Sequence, residues 1–127
     1  MTFERSRCCR GFSLLEIMII VGLIGLLIVM ALPTYIKVRK QAQGRRIVND
    51  ARNIDTAIDT WAMEYNKIDG DSVDLDGLSP YVKAGTVYPN DALGNPFGIG
   101  PVGLNQVRIS TATKDALSGV TIDWGAY

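Results

Sequence analysis

Residues 11–32 of this chain are GFSLLEIMIIVGLIGLLIVMAL, a run that contains almost no polar side chain. Between Phe12 and Leu32 there are 21 residues, and Ser13 and Glu16 are the only polar ones. A helix of that length rises ~1.5 Å per residue and reaches roughly 32 Å, which is enough to cross the hydrocarbon core of a bilayer. The run therefore predicts a membrane-spanning helix near the N-terminus.

Two common targeting signals do not fit this run. A secretory signal has an apolar stretch of roughly 7–15 residues followed by a small-x-small cleavage site. This run is longer, contains Glu16, and has no convincing Ala-x-Ala site before Pro33. A lipoprotein signal places its cysteine after the apolar stretch, whereas Cys8 and Cys9 precede it. The pattern favours an anchor that is either uncleaved or trimmed at its N-terminus.

Glu16 is the unusual residue of the anchor. A carboxylate costs roughly 2.5–3.5 kcal/mol at the centre of a spanning helix and less near its end. In one interpretation Glu16 leans back toward the lipid headgroups. In the other, a cation is brought to it inside the membrane. A cut after Gly11 would free a new amine on Phe12, which a neighbouring copy could present to Glu16, and a short basic stretch precedes that position (Arg5, Arg7 and Arg10).

The six residues from Gly11 to Glu16 resemble the processing motif of the type IV pilin family, which includes the type II secretion pseudopilins. The resemblance implies that a prepilin peptidase cuts after Gly11, that Phe12 becomes the N-methylated N-terminus, and that Phe12 and Glu16 form an assembly contact. It also implies the partners: copies of the same chain, other pilin-like subunits, an inner-membrane assembly platform and membrane lipid. The expected location is the bacterial inner membrane, with a single span and the C-terminal part in the periplasm.

The expected fold is α+β and pilin-like, a long N-terminal helix packed by a small head. We expect a leader at 1–11, a transmembrane half-helix at 12–33, an amphipathic half-helix at 34–67, and a head of short helix and short antiparallel strands at 68–127. Gly22 and Gly25 could let neighbouring helices approach closely, or could simply reflect how common glycine is in membrane helices. Gly22, Gly25 and Pro33 are the positions at which we expect the helix to be flexible. Pro33 has no N–H for the carbonyl of Val29, so the helix should kink or loosen there.

A helical stripe of apolar residues continues after Pro33 at steps of 4, 3, 4, 3 and 4 (Ile47, Ala51, Ile54, Ile58, Trp61 and Tyr65). Such spacing predicts one buried face of a helix that runs to about Lys67. Gly44 interrupts good helix formers and is expected to be a flexible point. Leu75, Leu78, Tyr81 and Val82 predict a short helix laid on this stripe.

Four aspartates fall within eight residues beyond the helix (Asp69, Asp71, Asp74 and Asp76). They could form a calcium loop, because carboxylate oxygens are hard ligands, but the glycine and the glutamate that an EF-hand requires are missing. Solvated and helix-capping carboxylates are the favoured interpretation. Our expectation is therefore no cofactor and no metal, with calcium as the weaker alternative.

The last third of the chain is rich in glycine and proline. Asp91 to Phe97 resembles a turn of major pseudopilins at Asp91, Gly94, Asn95 and Pro96, and it should lead Phe97 and Ile99 into a strand. Val107, Ile109 and residues 120–124 are further strand candidates, and Thr113 to Ser118 predicts a short helix stopped by Gly119. The acidic C-terminal calcium loop of major secretion pseudopilins and the paired C-terminal cysteines of many type IVa pilins are both missing.

The flanking charges argue against the expected orientation. Three arginines precede the span, whereas five basic residues follow it closely (Lys37, Arg39, Lys40, Arg45 and Arg46). The positive-inside rule would place the more basic side in the cytoplasm. The motif implies the opposite, because the peptidase must reach Gly11 at the cytoplasmic face, and we follow the motif.

Composition argues against several classes of function. The chain has no histidine, which excludes Ser/His and Cys/His catalytic arrangements. For this reason an enzymatic role is not expected. Basic and acidic residues are equal at 13 each, so no net positive charge attracts nucleic acid, which is an unlikely partner. The predicted function is a structural subunit of a type IV-like filament, for type II secretion or a pilus. The alternatives are a monomeric anchored binding module and a DNA-uptake pilin.

Overall fold

A computed structural model of the chain describes residues 11–82, 90–103 and 105–127. The chain divides into two compact units, one ending at Ile36 and one covering Lys37–Tyr127, which are considered separately. Its elements, in chain order, are helix α1 (Leu14–Glu64), helix α2 (Leu75–Leu78), a 3-10 turn (Ser79–Tyr81), strand β1 (Gly98–Ile99), strand β2 (Val107–Arg108) and helix α3 (Thr111–Ala116). This is the α+β layout that the sequence predicts.

The first unit is the apolar start of α1. Its large apolar side chains from Phe12 to Ile36 are all exposed, and the helix contains a stretch long and apolar enough to cross a membrane by length and composition. The helix is continuous through Pro33, although that residue cannot donate to the carbonyl of Val29. The kink or loosening expected at Pro33 stays a prediction.

The second unit has a core built on one face of α1. Five of the six predicted stripe residues are at most 4 % exposed (Ile47, Ala51, Ile54, Ile58 and Trp61). Val48, Ala57 and Ala62 widen the buried face, and Leu78, Phe97, Val102, Val107, Ile109 and Leu117 cover it. The stripe was therefore correctly predicted as the core face, because helical periodicity is a local property of the sequence.

Tyr65 was wrongly assigned to that face, since it is 57 % exposed. Helix α1 ends at Glu64, three residues before the expected end, and Asn66 adopts a left-handed conformation with φ 48°. The N–H of Lys67 then donates to the carbonyl of Ala62 at 2.8 Å, closing the helix C-terminus. Because the chain turns at this point, Tyr65 leaves the stripe and its ring lies against Trp61 with centroids 5.7 Å apart.

The short helix predicted after the aspartates is present as α2 and the following 3-10 turn. Leu78 and Val82 are buried as expected, whereas Leu75 is 46 % exposed. Gly77 packs tightly on α1: a Cβ at this position would lie 3.0 Å from Nε1 of Trp61. The hydroxyl of Tyr81 donates to the carboxylate of Glu64, and this hydrogen bond raises the pKa of Tyr81 to about 12.

Strands β1 and β2 form an antiparallel pair in which Gly98 faces Arg108 and Ile99 faces Val107. The strand predicted at residues 120–124 does not form. The carboxylate of Asp123 instead accepts from the N–H of Gly125 at 3.0 Å, so this segment ends in a local turn rather than in a ladder. Ile122 and Trp124 still pack against the core as individual side chains.

Candidate processing and assembly site

The predicted cleavage residues lie immediately before α1. Gly11, Phe12 and Ser13 have no regular structure and are exposed, and Phe12 is 76 % exposed. A Cβ at Gly11 would meet no atom of the described chain within 4 Å. The described part of the chain therefore leaves the bond after Gly11 exposed, in a segment without regular secondary structure.

Helix α1 starts at Leu14, and the carbonyl of Ser13 accepts from the N–H groups of Glu16 at 3.0 Å and Ile17 at 3.3 Å. Glu16 therefore lies in the first turn, where its carboxylate is near the positive end of the helix dipole. This position lowers the cost of a negative charge at the edge of an apolar segment. A cation on a new N-terminus at Phe12 would lie four residues before Glu16 in the sequence, which is about the number of residues in one helical turn.

Gly22 and Gly25 lie on the exposed apolar part of α1. A Cβ at either position would meet nothing within 4 Å in the described chain, so neither glycine is needed for packing inside one subunit. The predicted role in helix flexibility or helix approach stays a prediction for these residues and for Pro33. Within one described chain, the apolar surface around them has no covering partner.

Two of the four clustered aspartates have local hydrogen bonds. A carboxylate oxygen of Asp71 accepts from the N–H of Ile68 at 3.1 Å. Asp74 is the N-cap of α2 and accepts from the N–H of Asp76 at 3.2 Å. Among the described residues, no group of three or more His, Cys, Asp or Glu side chains is arranged to hold a metal ion. The capping role that we favoured is therefore present at Asp74, and calcium binding stays untested.

The turn from Asp91 to Phe97 is held by a buried carboxylate. Asp91 accepts from the N–H groups of Leu93 at 2.8 Å and Asn95 at 3.0 Å. Its second oxygen accepts from the hydroxyl of Thr113, which is fully buried at the start of α3 and accepts from the Asn95 amide at 3.0 Å. These hydrogen bonds join the turn to α3. Asp91 and Asn95 therefore stabilise the fold and are not assigned to a binding site.

Sequence reasoning missed the role of Gly44. This residue is buried, and a Cβ on it would lie 2.4 Å from Cδ1 of Ile122. Gly44 was expected to be a flexible point, but it is a close-packing position where the 120–124 segment crosses α1. The signal was present in the sequence, because Gly44 lies three residues before Ile47 and so falls on the buried stripe.

Comparison with known proteins confirms the resemblance of the N-terminal segment. Residues 6–32 match the family model described as the prokaryotic N-terminal methylation motif. This range contains Gly11 and the whole apolar run from Phe12 to Leu32, including Glu16. The leader expected at 1–11 lies almost wholly outside the described residues.

Similar proteins carry one of two names. The type II secretion system core protein G of Aeromonas hydrophila is 24% identical over 92% of this chain and 91% of its own length. The protein of the same name from Klebsiella michiganensis is 25% identical over 97% of this chain and 96% of its own length. The type IV major fimbrial protein FimA of Dichelobacter nodosus is 35% identical over 47% of this chain and 38% of its own length.

No solved structure matches the chain. The sequence comparisons nevertheless agree with one another and with the fold, because the matched segment contains the exposed apolar start of α1, and the later part of α1 belongs to a small α+β unit. The chain carries the prokaryotic N-terminal methylation motif, and its relatives include type II secretion system core proteins G and type IV major fimbrial proteins.

Proposed function

We propose that this chain is the precursor of a structural subunit of a type IV-like filament, cut after Gly11 and assembled from the inner membrane. The observation that carries the proposal is the methylation motif at residues 6–32, whose helical part from Leu14 onward exposes its apolar side chains. That surface needs a non-aqueous partner. Lipid can supply it before assembly, and the helices of neighbouring subunits can supply it afterwards.

In this mechanism Glu16 selects the position of each incoming subunit. A prepilin peptidase removes residues 1–11, and the new amine of Phe12, carrying its methyl group, becomes a cation at the edge of the apolar segment. In a filament core the pairing of this cation with Glu16 of a neighbour takes place away from water. An unpaired carboxylate there is strongly destabilising, so packing in the wrong register is disfavoured.

The same mechanism places Lys37–Tyr127 on the periplasmic side. Cleavage of the leader by a peptidase at the cytoplasmic face requires Gly11 to stay in the cytoplasm, despite the larger number of basic residues after the span. The long alignments with core protein G favour a pseudopilus for type II secretion, and a type IV pilus is the close alternative. The role is structural, with other pilin-like subunits and the assembly platform as partners.

Mass spectrometry of the mature chain tests this proposal against a monomeric anchored binding module. The chain, expressed with a prepilin peptidase and extracted from membranes, should begin at Phe12 and carry one added methyl group. A chain that still begins at Met1 would contradict the proposal and favour a plain anchor. Gly11→Val is the matched control, since nothing in the described chain contacts this position and only processing should be lost.

A further inference from the structure

A groove in the second unit lies between α1 and residues 121–123 and encloses about 410 Å³. Its lining includes the polar side chains of Gln41, Arg45, Asn49, Arg52 and Asp123. Arg45, Asn49 and Arg52 follow one another at steps of 4 and 3, so they share one face of the helix. The neighbouring contact of Gly44 with Ile122 fixes the two walls of the groove against each other.

Within the part of the chain that the structure describes, no ion pair neutralises the positive charges of the groove. From Lys37 to Arg52 there are six basic residues and one acidic residue, and Asp123 is the one carboxylate in the lining. In the described ranges of the chain, the one ion pair joins Arg46 to Asp50 at 3.9 Å. Two positively charged side chains with amide side chains beside them can attract carboxylates and donate hydrogen bonds to them.

The chain carries a matching set of carboxylates elsewhere. Asp69, Asp74 and Asp76 are exposed, and Asp71 is half-buried. This acidic segment (residues 69–76) follows the end of α1, and Gly77 just after it contacts Trp61. None of residues 69–76 lines the groove of its own subunit. Gly77 contacts Trp61, which lies nine residues beyond Arg52, about 14 Å along the helix axis at ~1.5 Å per residue.

We propose that the groove binds the acidic segment of a second copy of this chain. The inference rests on the proposed function, because it names the contact by which copies would be joined outside the apolar helix. The two complementary surfaces lie at different places on one subunit. Such a contact is heterologous and can repeat without closing, which produces an open assembly rather than a symmetric dimer.

A lipid surface is the competing source of negative charge. Arg45 lies thirteen residues beyond Leu32, the last residue of the apolar run, and this is about 20 Å along α1 at ~1.5 Å per residue. Electrostatic attraction between exposed groups is largely screened beyond about 8–10 Å at ordinary ionic strength. Headgroups are therefore better matched to Lys37, Arg39 and Lys40 than to the groove.

The contact is tested by reversing the charges of its residues in the full-length chain. The groove variant is Arg45→Glu with Arg52→Glu, and the segment variant is Asp69→Lys with Asp76→Lys. Asp71 and Asp74 are left unchanged because they hold local hydrogen bonds. Arg45→Lys with Arg52→Lys is the charge-preserving control. Each variant is assayed for N-terminal processing, for thermal unfolding in detergent, and for the amount of chain in sheared filaments.

We expect either reversal to lower the filament yield at least tenfold, and the combination of both reversals in one chain to restore it to within about threefold of wild type. The lysine control should stay close to wild type. Normal filaments from the groove variant, or no recovery in the combined variant, would overturn the inference while leaving the proposed function intact. A groove variant that binds anionic vesicles less well but is not rescued by the segment reversal would assign the groove to lipid.

Cysteine cross-linking covers the case in which a reversal prevents folding. Cys8 and Cys9 are the only cysteines of the sequence and leave with the leader, so Arg52→Cys and Asp76→Cys would be the only thiols of the processed chain. A disulfide needs Cα atoms within about 7 Å of each other, and only a disulfide between two subunits produces species larger than the monomer. A ladder of cross-linked species supports the contact, whereas monomer alone in assembled filaments overturns it. A wild-type chain that is neither processed nor assembled would instead defeat the proposed function itself.

Discussion

Glu16 is the residue at which sequence, structure and proposed function meet. It occupies the first turn of α1, at the edge of an apolar surface that is exposed in the single chain. A carboxylate in that position is tolerable in a lone anchor, because it is close to the helix N-terminus. In a packed assembly it needs a cation, and a processed Phe12 amine would supply one.

Replacing Glu16 by alanine should leave membrane insertion intact and reduce assembly. Loss of one partner of a buried ion pair costs about 3–5 kcal/mol, so the filament yield should fall by a hundredfold or more. Glu16→Gln, which keeps the size and removes the charge, should behave like Glu16→Ala. Quantifying the chain in membrane and sheared-filament fractions measures both effects, and wild-type yields from Glu16→Ala would refute the pairing.

Gly44 is a position in the second unit where close packing depends on the absence of a side chain. Because it lies on the buried stripe, the 120–124 segment can cross α1 at close range. An added methyl would meet Cδ1, Cγ1 and Cγ2 of Ile122 at 2.4, 3.0 and 3.1 Å, so the whole isoleucine side chain would have to move.

Gly44→Ala should destabilise the second unit despite its better helix propensity. Overpacking costs about 1–3 kcal/mol, whereas the gain from replacing a helical glycine is about 1 kcal/mol, so the net effect is a loss of up to roughly 2 kcal/mol. Thermal unfolding of the full chain in detergent measures this change. Adding Ile122→Ala should relieve the overlap, so the two substitutions must be non-additive. Simple additivity of their effects would show that the contact is unimportant.

At the scale of elements, α1 has two different surfaces. Its N-terminal part presents apolar side chains on every side, and its later part buries one face against the other elements of the second unit. The change is visible in the sequence as a change from a continuous apolar run to a stripe. The short elements α2, α3, β1 and β2 are individually too small to be stable and depend on this face of α1.

Two substitutions on α1 distinguish its core from its end. Ile58→Ala removes a fully buried side chain and should lower the free energy of unfolding by about 2–5 kcal/mol. Tyr65→Ala, at a stripe position that proves 57 % exposed, should cost about 1 kcal/mol or less, mainly through its ring contact with Trp61. Denaturant or thermal unfolding of both variants gives the comparison. Equal losses would mean that the core extends beyond Glu64.

At the scale of the whole molecule, the last residues of the sequence are tied to the long helix. The hydroxyl of Tyr127 donates to the carboxylate of Asp55 at 3.2 Å, and the Lys114 ammonium donates to the carbonyl of Tyr127 at 2.7 Å. Burial raises the pKa of Asp55, the hydrogen bond from Tyr127 opposes this shift, and the charge of Asp59 adds to it. Burial and the charge of Asp55 likewise raise the pKa of Tyr127.

These shifts give a pH dependence with a definite sign. Because the pKa of Asp55 is raised on folding, its contribution to stability is greatest below its ordinary value of 3.8 and is lost as the pH rises through the folded value. Asp55→Asn keeps an acceptor for Tyr127 and removes the charge. It should be more stable than wild type at pH 7 and equal to it near pH 3, by thermal unfolding at both values. A less stable variant at pH 7 would mean that the charged hydrogen bond outweighs burial.

The sequence predicts local features of this chain well and non-local ones poorly. The processing motif and the buried stripe depend on residues within one or two helical turns, and both were predictable from Gly11 to Glu16 and from Ile47 to Trp61. The strand expected at 120–124 required a neighbouring strand that the periodicity of those residues cannot reveal. The end of α1 depended on the left-handed Asn66, and the role of Gly44 on Ile122, which is 78 residues away in the sequence.

The most direct test of the proposed filament subunit is the composition of filaments sheared from cells that express the wild-type chain with its peptidase and assembly platform. The measurement is the intact mass of the chain in that fraction, together with its share of the total chain. We predict that most of the sheared material is the chain beginning at methylated Phe12. Absence of the chain from this fraction, with all of it in membranes and beginning at Met1, would contradict the proposal.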